Sequence, residues 1–207
     1  MTAERTCFVL PTIHSEVPVP AQILRVRPAY EGWGKYLIAT ARLSDGHEIE
    51  REIEDHGRAV CVLPYDPERG VALLVRLFRA PPLYAGGPPE MLEAPAGLLE
   101  EDSPEDCARR EALEEAGLRL GALEHIVTAW TMPGISTERM SLYLASYAAA
   151  DRVAEGGGVA GEHENITVIE KPLADLAAMA ARGDLIDMKT LTLLLALKDR
   201  RPDLFPA

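Results

Sequence analysis

AGLLEEDSPEDCARREALEEAGL is the stretch from Ala96 to Leu118, and it decides the fold. Ser103 is followed by Pro104 and two acids. This order is typical of a helix start, because a hydroxyl N-cap, a proline at the first helical position and negative charge all suit the positive end of a helix. Gly117 is a typical helix end. The stretch therefore predicts a helix between Ser103 and Gly117.

Two faces of the predicted helix have opposite character. Three alanines recur every four residues and form a narrow apolar stripe: Ala108, Ala112 and Ala116. Three acids share an adjoining face: Glu111, Glu114 and Glu115. Like charges at three- and four-residue spacing repel, so this cluster costs stability unless a cation lies in it. A hard, oxygen-binding Mg²⁺ is the expected occupant, and an ordinary solvated acidic helix is the alternative.

The same stretch resembles the signature of the Nudix family. That signature is Gly, five residues, Glu, seven residues, then Arg-Glu, an apolar residue, any residue, Glu-Glu, any residue, Gly and an apolar residue. Gly97 opens it here, and the run from Arg110 to Leu118 closes it without a departure. The first half departs, because only four residues separate Gly97 from Asp102, which stands where Glu is expected.

The resemblance extends from about Trp33 to the last helix. The run Glu93-Ala94-Pro95-Ala96-Gly97, the triple glycine at 156–158 and the Asp187-Met188-Lys189-Thr190 helix start resemble the ADP-sugar and GDP-mannose pyrophosphatase branch, most closely its GDP-mannose members. The resemblance implies an α/β/α sandwich with a mixed sheet. It also implies a homodimeric hydrolase that uses Mg²⁺, with Mn²⁺ as a substitute, on nucleoside diphosphate sugars.

Candidate metal ligands follow from charge and from the resemblance. Glu111 and Glu115 lie one helical turn apart and are the expected metal carboxylates, and Glu115 is also assigned to catalysis. The resemblance adds the backbone carbonyl of Ala96 and a further acid from a distant loop. Glu162 and Glu164 both qualify for that acid. Counting back from the following strand, Glu164 suits a metal ligand and Glu162 a catalytic base, while solvated loop acids are the alternative.

Substrate contacts are expected from a few placed cations, because the chain is acidic overall. Arg51 and Arg79 stand at strand ends, where they are either ordinary surface cations or clamps for phosphate or sugar. Lys189 stands at a helix start, where its charge opposes the helix dipole, so a bound anion would explain it better than capping does. The resemblance adds three further substrate-binding residues: Glu52, Gly97 and Glu138.

Composition excludes several classes of function. The chain has 207 residues, 47% of them apolar, a formal charge of −12 and a pI near 4.9. A nucleic-acid-binding surface needs concentrated positive charge, so no nucleic-acid partner is expected. The three cysteines have no metal-ligand spacing and suit free thiols in a reducing compartment. No signal peptide or membrane span is visible, so the sequence predicts a cytoplasmic protein without a membrane partner.

Two regions are predicted along the chain. Residues 1–55 contain three β-rich runs with a turn signal at Ser44-Asp45-Gly46, which predicts a small antiparallel sheet. This sheet is too small to bury a core alone, so it must pack on the main domain or on a second subunit. The resemblance implies the second subunit, and so a dimerisation region. Residues 56–207 are the predicted Nudix catalytic domain, with a proline- and glycine-rich loop at 81–89 and two helices near the end.

Two classes of function remain open from the sequence. The first is a Mg²⁺-dependent hydrolase that splits a nucleoside diphosphate sugar into a nucleoside monophosphate and a sugar phosphate. The second is a Nudix-like module that binds such a nucleotide without cleaving it. All acids of the closing half of the signature are present, which favours the enzyme.

Overall fold

The computed structural model describes residues 19–159 and 165–206. Contacts within the chain divide it into two compact units, Met1–Glu54 and Asp55–Ala207. Among the described residues, no helix is both long and apolar enough to cross a membrane.

The first unit contains a three-stranded sheet. Its strands are β1 (Gln22–Glu31), β2 (Lys35–Arg42) and β3 (Glu48–Asp55), in the order β1-β2-β3. β1 and β2 pair antiparallel. Gly46 makes the predicted turn before β3, with φ at +88° and its N–H donating to the carbonyl of Leu43. The predicted small antiparallel sheet is confirmed.

A mixed seven-stranded sheet forms the centre of the second unit. Its strands are β4 (Arg58–Asp66), β5 (Val71–Phe78), β6 (Glu90–Glu93), β7 (Ala96–Leu99), β8 (Glu124–Trp130), β9 (Arg139–Ser146) and β10 (Thr167–Pro172). The main order is β10-β5-β4-β9-β8, and β6 and β7 pair with β5 and β4. β4 and β9 run parallel, whereas the other pairs with a recorded register are antiparallel.

Side chains of β4 alternate between two hydrophobic cores, as a strand covered on both faces requires. Val60 and Val62 face one core, together with the alanine stripe. Cys61, Leu63 and Tyr65 face the other. This alternation makes the sheet the middle layer of a sandwich.

Helices cover both faces of the sheet. α2 (Pro104–Ala116) lies on one face, while α3 (Leu173–Arg182) and α4 (Met188–Arg200) supply buried leucines to the other. A five-residue helix, α1 (Ala80–Tyr84), lies in the segment that was predicted as a loop. Pro81 and Pro82 occupy its first turn, where their missing N–H groups cost nothing, so the loop prediction was wrong there. The predicted α/β/α sandwich is confirmed.

The ends of α2 are those that the sequence predicts. The Ser103 hydroxyl accepts the Asp106 N–H at 3.1 Å, and Pro104 is the first helical residue. Gly117 has φ at +69°, and the N–H groups of Gly117 and Leu118 bind the carbonyls of Leu113 and Ala112. This left-handed cap lets the chain leave the helix immediately after the acidic face.

Core packing by α4 is open to a matched test. Leu193 is fully buried and Leu195, two residues away on the same helix, is 52% exposed. We expect Leu193→Ala to lower the free energy of unfolding by about 2–5 kcal/mol through lost burial and a cavity. Leu195→Ala should change it by less than about 0.5 kcal/mol. Equal losses in urea denaturation would contradict this packing.

Candidate active site

The acidic face of α2 lies against β7. Glu115 is 4% exposed, and its Oε2 accepts the backbone N–H of Ala96 at 2.9 Å. Glu111 is 9% exposed and Glu114 is half-buried. The structure therefore brings Ala96, Glu111 and Glu115 together, as the sequence predicts.

Gly97 allows this close approach. A methyl group on its α-carbon would lie 2.1 Å from both Cδ and Oε1 of Glu111, a distance that no side chain tolerates. The Glu111 carboxylate therefore occupies the space that any other residue would fill at position 97. In this structure, the predicted substrate contact Gly97 makes room for a predicted metal ligand.

Arg110 balances the charge of the acidic cluster. Its Nη1 lies 2.8 Å from Glu111 Oε1 and 3.0 Å from Glu114 Oε2, and its Nε lies 3.5 Å from Asp102 Oδ2. Burial lowers the pKa of the guanidinium, but these carboxylates outweigh that effect and raise it above its usual value. Asp102 thus pairs with Arg110.

A glycine segment closes the C-terminal end of α2. The N–H groups of Gly157 and Gly158 donate to the carbonyls of Glu115 and Glu114 at 2.9 and 3.0 Å. A side chain on Gly156 would meet the Glu115 carbonyl oxygen at 2.5 Å, so a glycine is needed there. The predicted acids Glu162 and Glu164 follow this anchor but lie outside the described residues.

A second cluster of charges surrounds Glu93, which is 3% exposed. Arg79 binds its carboxylate in a bidentate way, through Nε at 2.8 Å and Nη2 at 2.9 Å. Lys189 binds the same carboxylate and lies 2.9 Å from Asp187 Oδ1. The chain's own carboxylates Glu93 and Asp187 thus balance Lys189 at this helix start, whereas the sequence predicted a bound anion there.

Asp187 connects this cluster to α4 and β6. Its side chain caps α4 by accepting the Thr190 N–H at 3.0 Å. The buried Thr190 hydroxyl lies 2.5 Å from the Asp187 carboxylate and 2.7 Å from the Ala94 N–H. These contacts fix the start of α4 against the chain that leads to Ala96.

Lys189 and Glu138, both predicted substrate contacts, line one pocket of about 320 Å³. Trp130, Thr131 and Met188 also line this pocket and give it apolar walls with polar edges. Glu138 Oε2 also lies 3.7 Å from His56 Nδ1. A pocket with this lining can enclose a small polar group that carries an apolar face.

Arg51 and Glu52 belong to β3 of the first unit. The Arg51 guanidinium donates to the Glu50 carbonyl at 2.8 Å, and Glu52 accepts the Tyr36 hydroxyl at 2.6 Å. Both side chains are exposed. Their substrate role stays a prediction.

Comparison with known proteins now identifies the family. The NUDIX domain model matches residues 55–186. The chain belongs to the Nudix family. Nudix relatives named GDP-mannose pyrophosphatase come from Cronobacter sakazakii, 42% identical over 75% of this chain and 82% of the relative, and from Pectobacterium atrosepticum, 41% identical over 77% and 83%.

A solved structure supports the Nudix fold. The crystal structure of an ADP compounds hydrolase aligns with a TM-score of 0.72, over 91% of this chain and 98% of that chain. At 19% sequence identity, this likeness concerns the fold alone.

The Nudix site has the chemistry of a hard-metal site. Its acids and the backbone offer oxygen donors only, and Nudix hydrolases generally require a divalent metal. Within residues 19–159 and 165–206, no group of three or more His, Cys, Asp or Glu side chains forms a metal-binding cluster. The two buried carboxylates fit a cation that keeps several waters or takes a further acid.

Glu93 and Asp187 are the site residues that sequence reasoning missed. Both were quoted as parts of the Nudix resemblance, but neither was assigned a role. One signal was available, because Glu93 directly follows the apolar Met91 and Leu92 and stands just before Ala94-Pro95-Ala96-Gly97. An acid that is buried in this way needs a cationic partner.

Gly97→Ala tests the contact between β7 and α2. The added methyl group should displace the Glu111 carboxylate and weaken Mn²⁺ binding about tenfold or more, measured by electron paramagnetic resonance. Gly121→Ala is the control, because a methyl group there meets nothing within 4 Å. Unchanged Mn²⁺ affinity in Gly97→Ala would show that Glu111 does not bind the metal from this position.

Proposed function

We propose that this chain hydrolyses the pyrophosphate bond of nucleoside diphosphate sugars with Mg²⁺, releasing a nucleoside monophosphate and a sugar phosphate. GDP-mannose is the first candidate substrate, because relatives with about 40% identity over most of the chain are named GDP-mannose pyrophosphatase. ADP-ribose is the second, from the resemblance of the sequence to that branch. Mn²⁺ is a substitute metal.

The observation that carries the proposal is the pair of buried carboxylates, Glu111 and Glu115, beside the backbone of Ala96. Burying two like charges is costly unless a cation compensates them. Arg110 supplies part of that compensation near Glu111. We assign Glu111, Glu115 and the Ala96 carbonyl to Mg²⁺, which when bound neutralises phosphate charge and activates water.

The chain's own residues supply the remaining chemistry. A carboxylate must take a proton from the attacking water. We assign that role to Glu162, and a metal contact to Glu164, because both follow the glycine segment anchored on the carbonyls of Glu114 and Glu115. Glu162 is four residues beyond Gly158, and a chain extends by about 3.3–3.6 Å per residue, so a reach of about 13 Å is open to it.

Cations and the pocket position the substrate in this proposal. Arg79 and Lys189 are assigned to the diphosphate, since each keeps charge at the edge of the site. Glu138 and the walls of the 320 Å³ pocket are assigned to the sugar or the base. Arg51 and Glu52 stay predicted substrate contacts, with Arg51 as a clamp for phosphate or sugar.

Turnover by Glu115→Gln tests the metal assignment. Wild-type protein is incubated with Mg²⁺ and a panel of nucleoside diphosphate sugars, and the products are separated by ion-exchange chromatography. We expect Glu115→Gln to lower kcat about a hundredfold or more, because several kcal/mol of charge stabilisation depend on the metal. The fold should survive, since a glutamine oxygen can still accept the Ala96 N–H and less like charge is buried.

Glu105→Gln is the matched control, because Glu105 is an exposed acid in the first turn of the same helix. Full activity of Glu115→Gln would remove the assignment. The same assay is applied to Glu162→Gln and Glu164→Gln, and the larger loss of kcat marks the catalytic base. Full activity in both variants would exclude this segment from the mechanism. A wild-type protein that binds GDP-mannose with Mg²⁺ but releases no monophosphate would be the binding module instead.

A homodimer through the first unit is the second part of the proposal. A bulge between Ile23 and Arg25 puts Ile23 and Val26 on the same face of the sheet, opposite Ala41 and Ala39. Ile23 is 60% exposed and Val26 is 49% exposed. Exposed apolar side chains of this density on a small sheet mark a surface for a partner, and a second copy of this chain is the partner proposed.

Sedimentation tests the dimer. We expect a dimer at micromolar concentration with about 2,000 Å² or more of buried surface. The double variant Ile23→Glu and Val26→Glu should sediment as a monomer, because charges there would be buried without partners. Leu195→Glu, at an exposed apolar position of α4, should leave the dimer intact. A wild-type monomer would refute the proposal.

A further inference from the structure

Glu93 is the most completely engaged carboxylate near the site. It is 3% exposed, and both of its oxygens are bound by cations. Burial raises the pKa of this carboxyl, but the hydrogen bonds from Arg79 and the charge of Lys189 outweigh burial and lower it below its usual value. Glu93 is therefore ionised at neutral pH.

Both cations stay charged as well. Hydrogen bonding to Glu93 raises the pKa of Arg79. Burial lowers the pKa of Lys189, but Asp187 and Glu93 outweigh it, and the net shift is upward. The cluster thus holds two charged cations, Arg79 and Lys189, on the ionised carboxylate of Glu93.

Each cation keeps donors for a ligand. Arg79 uses Nε and Nη2 on Glu93, and no hydrogen bond of its Nη1 to a described residue is present. Lys189 has three donors and uses two of them, on Glu93 and Asp187. Arg79 is 40% exposed and Lys189 lines the 320 Å³ pocket.

The cluster also lies beside the metal carboxylates. The Ala96 N–H binds the Glu115 carboxylate at 2.9 Å, and the Glu115 charge is among those that raise the pKa of Arg79. Glu93 stands three residues before Ala96, and the buried Thr190 hydroxyl fixes the intervening Ala94 N–H. Glu93 is therefore held rigidly between the start of α4 and β7.

We infer that Glu93 is a positioning residue, whose buried carboxylate fixes Arg79 and Lys189 as a pair of cations for the diphosphate of the substrate. The inference rests on the proposed function. Glu93 acts through the two cations and has no donor of its own for phosphate, because an ionised carboxylate only accepts hydrogen bonds. Long cationic side chains without such a partner lose the alignment that transition-state stabilisation needs.

The sign of the electrostatic effect makes the role testable. Removing the Glu93 charge makes the site more positive, which favours the binding of an anion. Loss of alignment acts in the opposite direction and falls on the chemical step. Glu93→Gln should therefore lower kcat about tenfold to a hundredfold without raising KM for GDP-mannose.

A double-mutant cycle separates positioning from general structural damage. If Glu93 acts through Arg79 and Lys189, the loss of kcat/KM in the double variant Glu93→Gln and Arg79→Ala should be smaller than the product of the two single losses, because the part that acts through Arg79 is counted once. Independent damage would instead multiply the two losses. Glu93→Asp keeps the negative charge but is too short to make all three contacts. Because the charge remains, this variant should lose less kcat/KM than Glu93→Gln. It replaces Glu93→Gln in the test if that variant does not fold.

Glu170→Gln is the matched control, because Glu170 forms another Arg–Glu pair, with Arg69, on β10. The same double-mutant cycle can be measured without turnover. The affinity of each variant for inorganic pyrophosphate is determined by calorimetry, with a chelator present to remove the metal. If Glu93 and Arg79 are coupled in pyrophosphate binding but the wild-type protein hydrolyses no nucleoside diphosphate sugar, the proposed function is refuted and the positioning role of Glu93 stands. Multiplicative losses in the cycle, or kcat/KM in Glu93→Gln at or above wild type, would overturn the inference.

Discussion

The contact between the Glu111 carboxylate and the α-carbon of Gly97 sets the geometry of the site. Because a side chain at position 97 would collide with the Glu111 carboxylate, a glycine is needed for that carboxylate to lie against β7. Other contacts between α2 and β7 bring the Ala96 N–H to Glu115 and the Cys107 thiol to the Leu98 carbonyl. One missing methyl group thus fixes where the Glu111 carboxylate lies against the strand.

Charge is the second constraint, since the chain carries a formal charge of −12. The structure places scarce cations at the buried acids and binds each of them to carboxylates. Arg110 serves the acids of α2, whereas Arg79 and Lys189 share Glu93. Each cation is held in one place by its partners, which suits a site that must recognise a fixed arrangement of phosphate oxygens.

The acidic cluster and the pocket occupy different parts of the second unit. The carboxylates belong to α2, while the pocket is lined by β8, β9 and the start of α4. Glu93 and Lys189 connect the two, because Lys189 reaches Glu93 from the pocket wall. In the proposed function, this division separates the metal site from the contacts to the base or sugar.

The sequence by itself determined the local elements: the α2 caps, the acidic face, the Gly46 turn and the strands of both sheets. These depend on backbone preferences and periodicity, which act over a few residues. Only the tertiary structure decided that Glu93, Arg79 and Lys189 form one cluster, and that Arg110 shares three acids. Glu93 and Lys189 are 96 residues apart, and a pairing at that separation depends on how α4 packs on the sheet, which no local pattern encodes.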